Sequence, residues 1–439
     1  KSDLGRVFSH QRIPKSVELK PNRPAHLFKN LQEQDALPCI YFAFSRKLTQ
    51  YLAEEIKHQD FLKPDEKVKI KQAYVELCRK FDIEHEPSTY ELLPLIENGI
   101  AYHHAGMLPT LKEVIERLFT TRLIKVIFTT ETFALGINMP ARTVIFDELK
   151  KFYERSFRIL KTRDFYQMAG RAGRRSIDTE GNVFIRVNPH YVSLRELEGV
   201  IEGEPEKVIS RFNASYATLL NLYEKFGEDL YEIYPLSFHF HQEKKGSQKK
   251  AIRMLRDKVT LLKQLGHIRK NKLTEKGIFA SHVFGYELIL SELHELGVLD
   301  KLSMNKLALL IMSIVYEPRK GMRKPKLNHD SRSLSYLTED VLRPINRLEK
   351  KLNLTPLTKA CFFHLSEAMQ GWLNGESFNE ILEKTQVDEG EVVRYFRMCI
   401  QVMREMLEAP TNEELKSKMY KLMHKINRDV VDAEKQLRG

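Results

Sequence analysis

Five short apolar runs, separated by amphipathic segments, constrain how the first 190 residues can fold. The runs are CIYFAF (39–44), GIAYHH (99–104), KVIFTT (125–130), TVIFDE (143–148) and GNVFIRV (181–187). Each has the length of a strand and is rich in β-branched and aromatic residues. Apolar strands with helices between them predict a buried parallel sheet, so we place an α/β domain at 1–190.

The pattern changes after residue 190, where leucine-rich helical periods replace the strand-like runs. Residues 241–272 carry 11 Lys and Arg against two acidic residues and lead into HIRKNKLTEKGIFA (267–280), a short β-like stretch. This stretch is typical of the wing of a winged helix, which we predict over 191–285. Residues 286–439 have an all-helical pattern, interrupted by a basic loop at 316–330 that contains Pro and Gly.

The composition favours a polyanionic partner. The net charge is +12 and the pI is near 9.2, which is most often a property of proteins that bind nucleic acid, although a basic protein without such a partner has the same charge. The four cysteines form no CxxC pair, which argues against a zinc site or disulfide framework and favours a reducing compartment. We therefore expect an intracellular protein, cytoplasmic or, in a eukaryote, nuclear, with no membrane partner. The chain begins with Lys1, so we expect a fragment or a processed product.

The segment QMAGRAGRR (167–175) contains two arginines three residues apart, Arg171 and Arg174. On a helix these two share a face, and their planar guanidinium groups match phosphate oxygens. Gly170 and Gly173 are costly in a helix, which suggests that another group approaches the backbone closely. The alternative is a solvated surface helix.

Ligands of parallel sheets bind beyond the carboxyl ends of the strands. We therefore expect QMAGRAGRR to lie at that edge together with FSRK (44–47) and TTETFALGINMP (129–140), which follow two of the predicted strands. VIFDELK (144–150) superficially resembles a metal-binding DExH box, but we interpret Asp147 and Glu148 as unrelated to one. We predict no metal site, because the paired histidines have no partners at ligand spacing.

These segments together resemble the motifs of superfamily 2 helicases. TTETFALGINMPARTVIF (129–146) and QMAGRAGRR resemble motifs V and VI in the form used by the Ski2-like family, and CIYFAFSRK (39–47) and GIAYHHAGMLP (99–109) resemble its motif IV and segment IVa. Ser176 departs from the pattern, because the family usually has glycine there. The resemblance implies a second RecA-like domain.

The resemblance also implies roles for individual residues. Gln167, Arg171 and Arg174 are expected to face the ATP phosphates, the arginines as catalytic fingers, with Gly136 and Asn138 at the edge of the nucleotide. The residues expected at the nucleic-acid backbone are Ser45, Arg46 and Thr130. The segment 151–163 is expected to form a hairpin near the point of strand separation, with Phe157 as its wedge.

Half of the expected ATP site is absent from the sequence. No Gly-Lys dipeptide occurs, so the P-loop pattern GxxxxGK[ST] cannot be present. The family carries that loop, the DExH box and the Mg²⁺ ligands on a first RecA-like domain. We expect that domain in cis or in trans, and we expect this chain alone not to hydrolyse ATP.

The C-terminal half resembles the DSHCT region of the Ski2-like family, most clearly in WLNGESFNEILEKTQVDEGEVVRYFRMCIQVMREM (372–406). The spacing leaves no room for the large arch insertion known in some members. At about 100° per residue, the helix 391–407 has one apolar face beside a polar stripe with Arg394, Arg397, Gln401 and Arg404. A basic stripe suits a phosphate backbone, and the resemblance implies a ratchet helix that contacts nucleic acid; the alternative is an ordinary amphipathic helix.

The leading hypothesis is the C-terminal part of a 3′-to-5′ ATP-dependent RNA helicase. Its expected partners are single-stranded or 3′-tailed RNA, the missing first RecA-like domain and an RNA-degradation complex. A DNA helicase of the Hel308 type has similar motifs V and VI and remains an alternative. A third hypothesis is a non-catalytic nucleic-acid-binding scaffold that has lost the first domain.

Overall fold

The computed structural model describes residues 23–134, 139–153, 156–174, 177–188, 190–206, 215–242 and 245–434. The described residues form two compact units. Residues up to Glu206, together with Glu434, belong to the first unit, and residues from Ser215 to Ala433 belong to the second. Among the helices of the described part, none is long and apolar enough to cross a membrane.

The first unit contains the predicted parallel sheet. Its strands are β1 Cys39–Phe42, β2 Ile100–His103, β3 Val126–Thr129, β4 Thr143–Phe146 and β7 Asn182–Ile185, in the order β2-β3-β1-β4-β7. Every pairing is parallel, and β1 to β4 are buried along their whole length. The prediction of an α/β domain with a buried parallel sheet is therefore confirmed. Each of the five apolar runs contains one strand.

Helices connect the strands and cover the sheet, and several begin at a proline whose missing N–H costs nothing at that position. Pro109 starts one of them. The helices of the first unit are α1 Pro24–Glu33, α2 Arg46–Glu55, α3 Pro64–Lys80, α4 Pro87–Ile96, α5 Pro109–Thr120, α6 Thr162–Ala169 and α7 Leu194–Ile201, and a 3₁₀ turn spans Glu131–Ala134.

An antiparallel hairpin projects from the connection between β4 and α6. It consists of β5 Lys150–Tyr153 and β6 Ser156–Ile159. Phe152 and Phe157 pair across it edge to face with ring centroids 5.4 Å apart, and both are exposed, at 50 % and 69 %. The hairpin predicted over 151–163 is therefore present, and it carries aromatic surface that the sheet does not cover.

The second unit is almost entirely helical. Its helices are α8 Tyr216–Phe226, α9 Leu230–Ile233, α10 Phe238–Gln242, α11 Lys245–Gln264, α12 Glu275–His282, α13 Glu287–Glu295, α14 Val298–Lys301, α15 Met304–Val315, α16 His329–Lys351, α17 Ser366–Leu373, α18 Phe378–Leu382, α19 Glu389–Glu408 and α20 Glu413–Ile426. A two-stranded hairpin, β8 Ile268–Arg269 with β9 Lys272–Leu273, lies between α11 and α12. The prediction of a helical region after the sheet domain is confirmed.

Helix α15 is the central helix of this unit, since it packs against α16, α17, α19 and α20. All of its residues from Leu307 to Val315 are buried. Trp372 on α17 is only 1 % exposed, and its indole N–H donates to the carbonyl oxygen of Ile426 at 3.0 Å. Trp372 is therefore a core residue of the second unit.

A buried carboxyl group joins three separate segments of the second unit. Glu349 on α16 is 0 % exposed. Its oxygens accept hydrogen bonds from the Tyr216 hydroxyl at 2.9 Å, the Thr358 backbone N–H at 2.7 Å and the Thr358 hydroxyl at 2.8 Å. The start of α8 and the segment after α16 are thus both hydrogen-bonded to the Glu349 side chain.

We predict that Glu349→Ala lowers the free energy of unfolding of the second unit by about 2–3 kcal/mol, because it leaves buried donors without an acceptor. The single tryptophan, Trp372, lies in this unit, so unfolding by urea can be followed by its fluorescence. Glu339→Ala, at an exposed position of the same helix, is the matched control and should change the midpoint little. Equal midpoints for the two variants would contradict the assigned role.

Candidate nucleotide and nucleic-acid sites

Ser45 and Thr130 lie at the carboxyl edge of the sheet. Ser45 is exposed, follows β1 and is the N-cap residue of α2, whereas Thr130 follows β3. β1 and β3 are neighbours, and the Ala43 N–H donates to the Thr129 carbonyl at 2.9 Å. Arg46 is the first residue of α2 and is half-buried. The structure therefore brings Ser45, Arg46 and Thr130 together at one edge.

The arginine segment lies at the opposite edge, which corrects the expectation that all three segments share the carboxyl edge. Ala141, just before β4, donates to the Arg171 carbonyl at 2.9 Å and accepts from the Gly173 N–H at 2.8 Å. Ala141 and Ala172 form an isolated parallel bridge. Because α6 runs back along the sheet, its end reaches the amino end of β4, and a four-residue strand of about 13 Å separates the two edges.

Two glycines permit this backbone contact. Gly173 has a φ of +87°, a backbone conformation that residues with a Cβ rarely adopt. Gly181, just before β7, lies so close to the arginine segment that a Cβ added there would be 2.5 Å from the Ala172 carbonyl carbon and 2.6 Å from the Gly173 nitrogen. The close approach expected from the glycines therefore exists, and the approaching group is the protein's own backbone.

Arg174 forms a bidentate ion pair with Asp178. Its Nε and Nη2 each donate to a different carboxylate oxygen at 2.7 Å, and its backbone N–H donates to Oδ2 at 2.9 Å. Both side chains are largely buried, with 13 % and 4 % exposure. The hydrogen bonds from the guanidinium lower the pKa of Asp178 to about 2. The planar guanidinium group of Arg174, called the arginine fork below, is therefore already oriented to bind two oxygens that lie in one plane.

Arg174 also lines a cavity of about 520 Å³ at the amino edge of the sheet. Pro38 and Lys125, which directly precede β1 and β3, contribute to its wall. The other charged side chains that line it are Asp35, Lys63, Glu66 and Arg122. Lys125 pairs with Glu66 at 3.0 Å. Four cations against two carboxylates make this cavity a basic one.

The remaining residues expected at the nucleotide are only partly described. Gln167 is exposed on α6, and Arg171 is half-buried just after this helix ends. Gly136 and Asn138 lie outside the described residues. Gln167 thus lies in the last turn of α6, whereas Arg171 and Arg174 both follow the end of this helix, so the prediction that the two arginines share a helix face is wrong.

Asp147, within the DExH-like stretch, takes part in a structural cluster. Its carboxylate accepts from the Tyr41 hydroxyl at 2.5 Å and forms an ion pair with Arg186, which also donates to the Tyr41 hydroxyl at 2.6 Å. Tyr41, Asp147 and Arg186 come from β1 and from the ends of β4 and β7, so the cluster joins three adjacent strands. No group of three or more His, Cys, Asp or Glu able to hold a metal occurs among the described residues.

The three arginines of helix α19 have different surroundings. Arg394 and Arg404 are exposed, and the Arg394 guanidinium lies over the Tyr395 ring at 4.5 Å. Arg397 is half-buried and donates to backbone carbonyls of Val430, Val431 and Asp432. The predicted apolar face is buried in full: Val392, Val393, Phe396, Cys399, Ile400, Met403 and Met406. Arg397 therefore holds the segment after α20, in addition to any contact with nucleic acid.

Two protein families match the chain. The helicase conserved C-terminal domain matches residues 49–176, and the DSHCT (NUC185) domain matches residues 270–434. The first match includes α5, β3, β4 and the segment around Arg171 and Arg174, and the second includes α15 and α19.

Individual relatives agree with these matches. The chain is 36 % identical over 235 residues to the Arabidopsis thaliana DExH-box ATP-dependent RNA helicase DExH11, covering 52 % of the chain and 17 % of the relative. It is 36 % identical over 224 residues to the Homo sapiens exosome RNA helicase MTR4 (51 % and 21 %), and 38 % identical over 194 residues to the Saccharomyces cerevisiae antiviral helicase SKI2 (44 % and 15 %). The chain is therefore similar to the C-terminal portion of Ski2-like helicases. Its matches span about a fifth of the length of these relatives.

Two residues of the first unit, Asp178 and Arg186, have contacts that the sequence did not predict. Asp178 holds the fork of Arg174, and its i, i+4 spacing from Arg174 was the pattern that could have indicated the pair. Arg186, on the other hand, reaches Tyr41 from a position 145 residues away in sequence. No local pattern indicates that contact, because strand order alone brings the two together.

We predict that Asp178→Asn lowers the stability of the first unit by about 1–2 kcal/mol at neutral pH, since it removes a largely buried charge pair. The folded-state pKa of Asp178 lies below its ordinary value, so this contribution is complete above about pH 4 and is lost as the pH falls towards 2. Thermal unfolding measured from pH 2 to 7 should therefore show a smaller acid loss for Asp178→Asn than for the native chain. Glu180→Gln, at an exposed neighbour, should retain the native profile.

We predict that Gly181→Ala destabilises the first unit by about 1–3 kcal/mol, because the added Cβ would collide with backbone atoms of Ala172 and Gly173. Gly199→Ala is the matched control. Position 199 lies in α7 with no atom within 4 Å of an added Cβ, so alanine should be neutral or stabilising there. The check is the midpoint of chemical unfolding; a neutral Gly181→Ala would contradict the close approach.

Proposed function

We propose that this chain is the part of an ATP-dependent RNA helicase that contains the second RecA-like domain and the DSHCT domain, with 3′-to-5′ polarity and no arch insertion. One observation carries the proposal. A single parallel sheet presents hydroxyl-bearing residues at its carboxyl edge and an arginine fork at its amino edge. Such an arrangement suits a domain that couples a nucleotide to a nucleic-acid strand.

The nucleotide in this proposal is ATP, and Arg171 and Arg174 bind its negatively charged γ-phosphate. The donors fit that group, because Arg174 already binds two carboxylate oxygens at 2.7 Å each and a phosphate offers the same pair. Gln167, Arg171 and Arg174 contact the phosphates, and Arg171 and Arg174 stabilise charge on the transferred group. Gly136 and Asn138 lie at the nucleotide edge of motif V.

The rest of the site must come from another domain. The sequence contains no P-loop, so we propose that a first RecA-like domain supplies the P-loop and the Mg²⁺ ligands in cis or in trans. This chain alone then binds nucleic acid without hydrolysing ATP. The bidentate geometry of Arg174 supports this division of roles, because an arginine finger acts on a phosphate held by a separate element.

Nucleic acid in this proposal contacts both units. Ser45, Arg46 and Thr130 bind the backbone, Phe157 acts as a wedge at the end of its hairpin, and α19 contributes Arg394 with Arg397 and Arg404. The β8–β9 hairpin between α11 and α12 supports the winged-helix module over 191–285, which would separate the RecA-like domain at 1–190 from the helical domain at 286–439.

RNA is the preferred substrate because the relatives named above are RNA helicases. The name of the human relative refers to the exosome, which supports an RNA-degradation complex as a partner of this chain and an intracellular location. The preferred RNA has a single-stranded 3′ end, since that end is where a 3′-to-5′ enzyme loads.

We predict that Arg171→Ala and Arg174→Ala, in a protein that includes the upstream domain, each lower kcat for RNA-stimulated ATP hydrolysis by about 10³-fold, the scale of a lost arginine finger. RNA affinity should change little, because the arginine segment lies at the other edge of the sheet from Ser45 and Thr130. ATP hydrolysis and filter binding measure the two effects.

Arg163→Ala is the control for both variants, since Arg163 is an exposed residue of α6 and is not expected at the nucleotide. Native turnover by Arg174→Ala would refute the catalytic assignment. Single-stranded DNA of the same length separates the substrates: equal stimulation by DNA would contradict the preference for RNA.

A further inference from the structure

A short loop between α15 and α16 concentrates positive charge. Residues 319–326 have the sequence RKGMRKPK, with five cations and no acid. All five cations are exposed. The loop belongs to the second unit and lies within the DSHCT match.

The structure fixes both ends of this loop. Arg319 forms ion pairs with Asp388 and Glu391 at the start of α19, the second at 2.7 Å. The Tyr316 hydroxyl donates to the Met322 sulfur at 3.1 Å. At the other end, the Asn328 side chain caps α16 by accepting from the Ser331 N–H at 2.9 Å. The loop is therefore a positioned element attached to helix α19.

The charges around the loop leave it strongly basic. Nearby acids already have cations of their own, since Glu317 pairs with Lys359 and Asp330 pairs with Lys306 at 3.1 Å. Arg319 likewise pairs with Asp388 and Glu391 at the start of α19. By contrast, among the described residues no carboxylate lies within ion-pair distance of the four other cations of the loop: Lys320, Arg323, Lys324 and Lys326.

The loop is continuous with Arg394, the leading nucleic-acid candidate of α19. Tyr316 packs against Tyr395 with ring centroids 4.8 Å apart, and the Arg394 guanidinium lies over the same Tyr395 ring at 4.5 Å. The Tyr395 hydroxyl donates to the Glu317 carbonyl at 3.2 Å. One aromatic side chain therefore contacts both the base of the loop and Arg394.

We propose that Lys320, Arg323, Lys324 and Lys326 form a binding surface for the phosphates of single-stranded nucleic acid, which extends the contact of Arg394. This inference rests on the proposed function, because it adds a second row of contacts to the strand that α19 meets. Exposed cations on a positioned loop, without carboxylate partners, suit the closely spaced charges of a nucleic-acid backbone.

Two other polyanions are less suitable. A membrane surface requires apolar side chains beside the cations, whereas Met322 and Pro325, the apolar residues of the loop, are both half-buried. An acidic protein segment matches the charge but lacks the regular spacing of one charge per nucleotide that a phosphate backbone has. These contacts involve the phosphates and not the bases. The surface should therefore bind single-stranded RNA and single-stranded DNA of equal length with similar affinity.

The test compares single-strand binding by the whole 439-residue chain with that of a variant in which four residues become glutamine: Lys320, Arg323, Lys324 and Lys326. Each phosphate contact on a single strand contributes about −0.7 to the slope of log K against log salt, so four contacts contribute about −3. We expect this loop variant to bind a fluorescein-labelled single-stranded RNA about ten- to a hundred-fold more weakly, with a slope shallower by about 2–3.

A matched variant separates this effect from net charge. It replaces four exposed cations of the first unit with glutamine: Lys29, Lys57, Arg79 and Lys80. It should retain most of the affinity, whereas Arg319→Gln, which frees the loop from α19 and exposes two carboxylates, should weaken binding several-fold. Circular dichroism and the fluorescence of Trp372 confirm that each variant is folded.

The outcomes separate this inference from the function on which it rests. If the native chain binds RNA and the loop variant binds with the same affinity and slope, the inference is wrong and the proposed function stands. If the native chain does not bind single strands, both are wrong. If the loop variant loses binding only to poly-glutamate or to phosphatidylserine vesicles, the surface serves an acidic protein or a membrane, and the inference is again overturned.

Discussion

The backbone pairing of Ala141 with the segment from Arg171 to Gly173 is the contact on which the candidate nucleotide site depends. It joins the end of α6 to the chain entering β4, and the next hydrogen bond, from Asn182 to the Arg142 carbonyl, extends the sheet into β7. Because Gly173 and Gly181 approach each other there, the two arginines are held by main-chain atoms rather than by side chains alone. The backbone that carries the fork is therefore hydrogen-bonded to the chain that enters the sheet.

The ion pair of Arg174 with Asp178 gives that fork a second property. A phosphate that binds the Arg174 guanidinium must displace the Asp178 carboxylate, which is only 4 % exposed. Leaving this buried carboxylate without a cation costs free energy. Within the proposed function, a multiply charged phosphate replaces Asp178 more readily than a singly charged anion does. The pair also fixes the plane of the guanidinium before any ligand arrives, which reduces the side-chain entropy lost on binding.

In the second unit, buried polar contacts position the basic surface. Glu349 connects α8, α16 and the segment that follows α16. Trp372 donates to the last carbonyl of α20, and Arg397 donates to carbonyls of the chain that follows α20. These contacts surround α15 and α19, whose buried faces are apolar. As a result, the exposed Arg394 and the loop at 319–326 are attached to a well-packed core, so their charges have defined positions.

The sequence alone determined the elements and the chemistry that they carry. Strand-length apolar runs predict all five strands of the sheet. Four of them, β1 to β4, are apolar because they are buried along their whole length, whereas β7 lies at the edge of the sheet and is partly exposed. The apolar face of α19 and the resemblance to Ski2-like helicases were likewise evident from local patterns. Only the tertiary structure decided which edge of the sheet holds the arginines, which carboxylate pairs with Arg174 and which side chains Asp147 contacts. Those facts depend on strand order and on contacts between residues up to 145 positions apart, and periodicity along a chain contains no information about which distant residues meet.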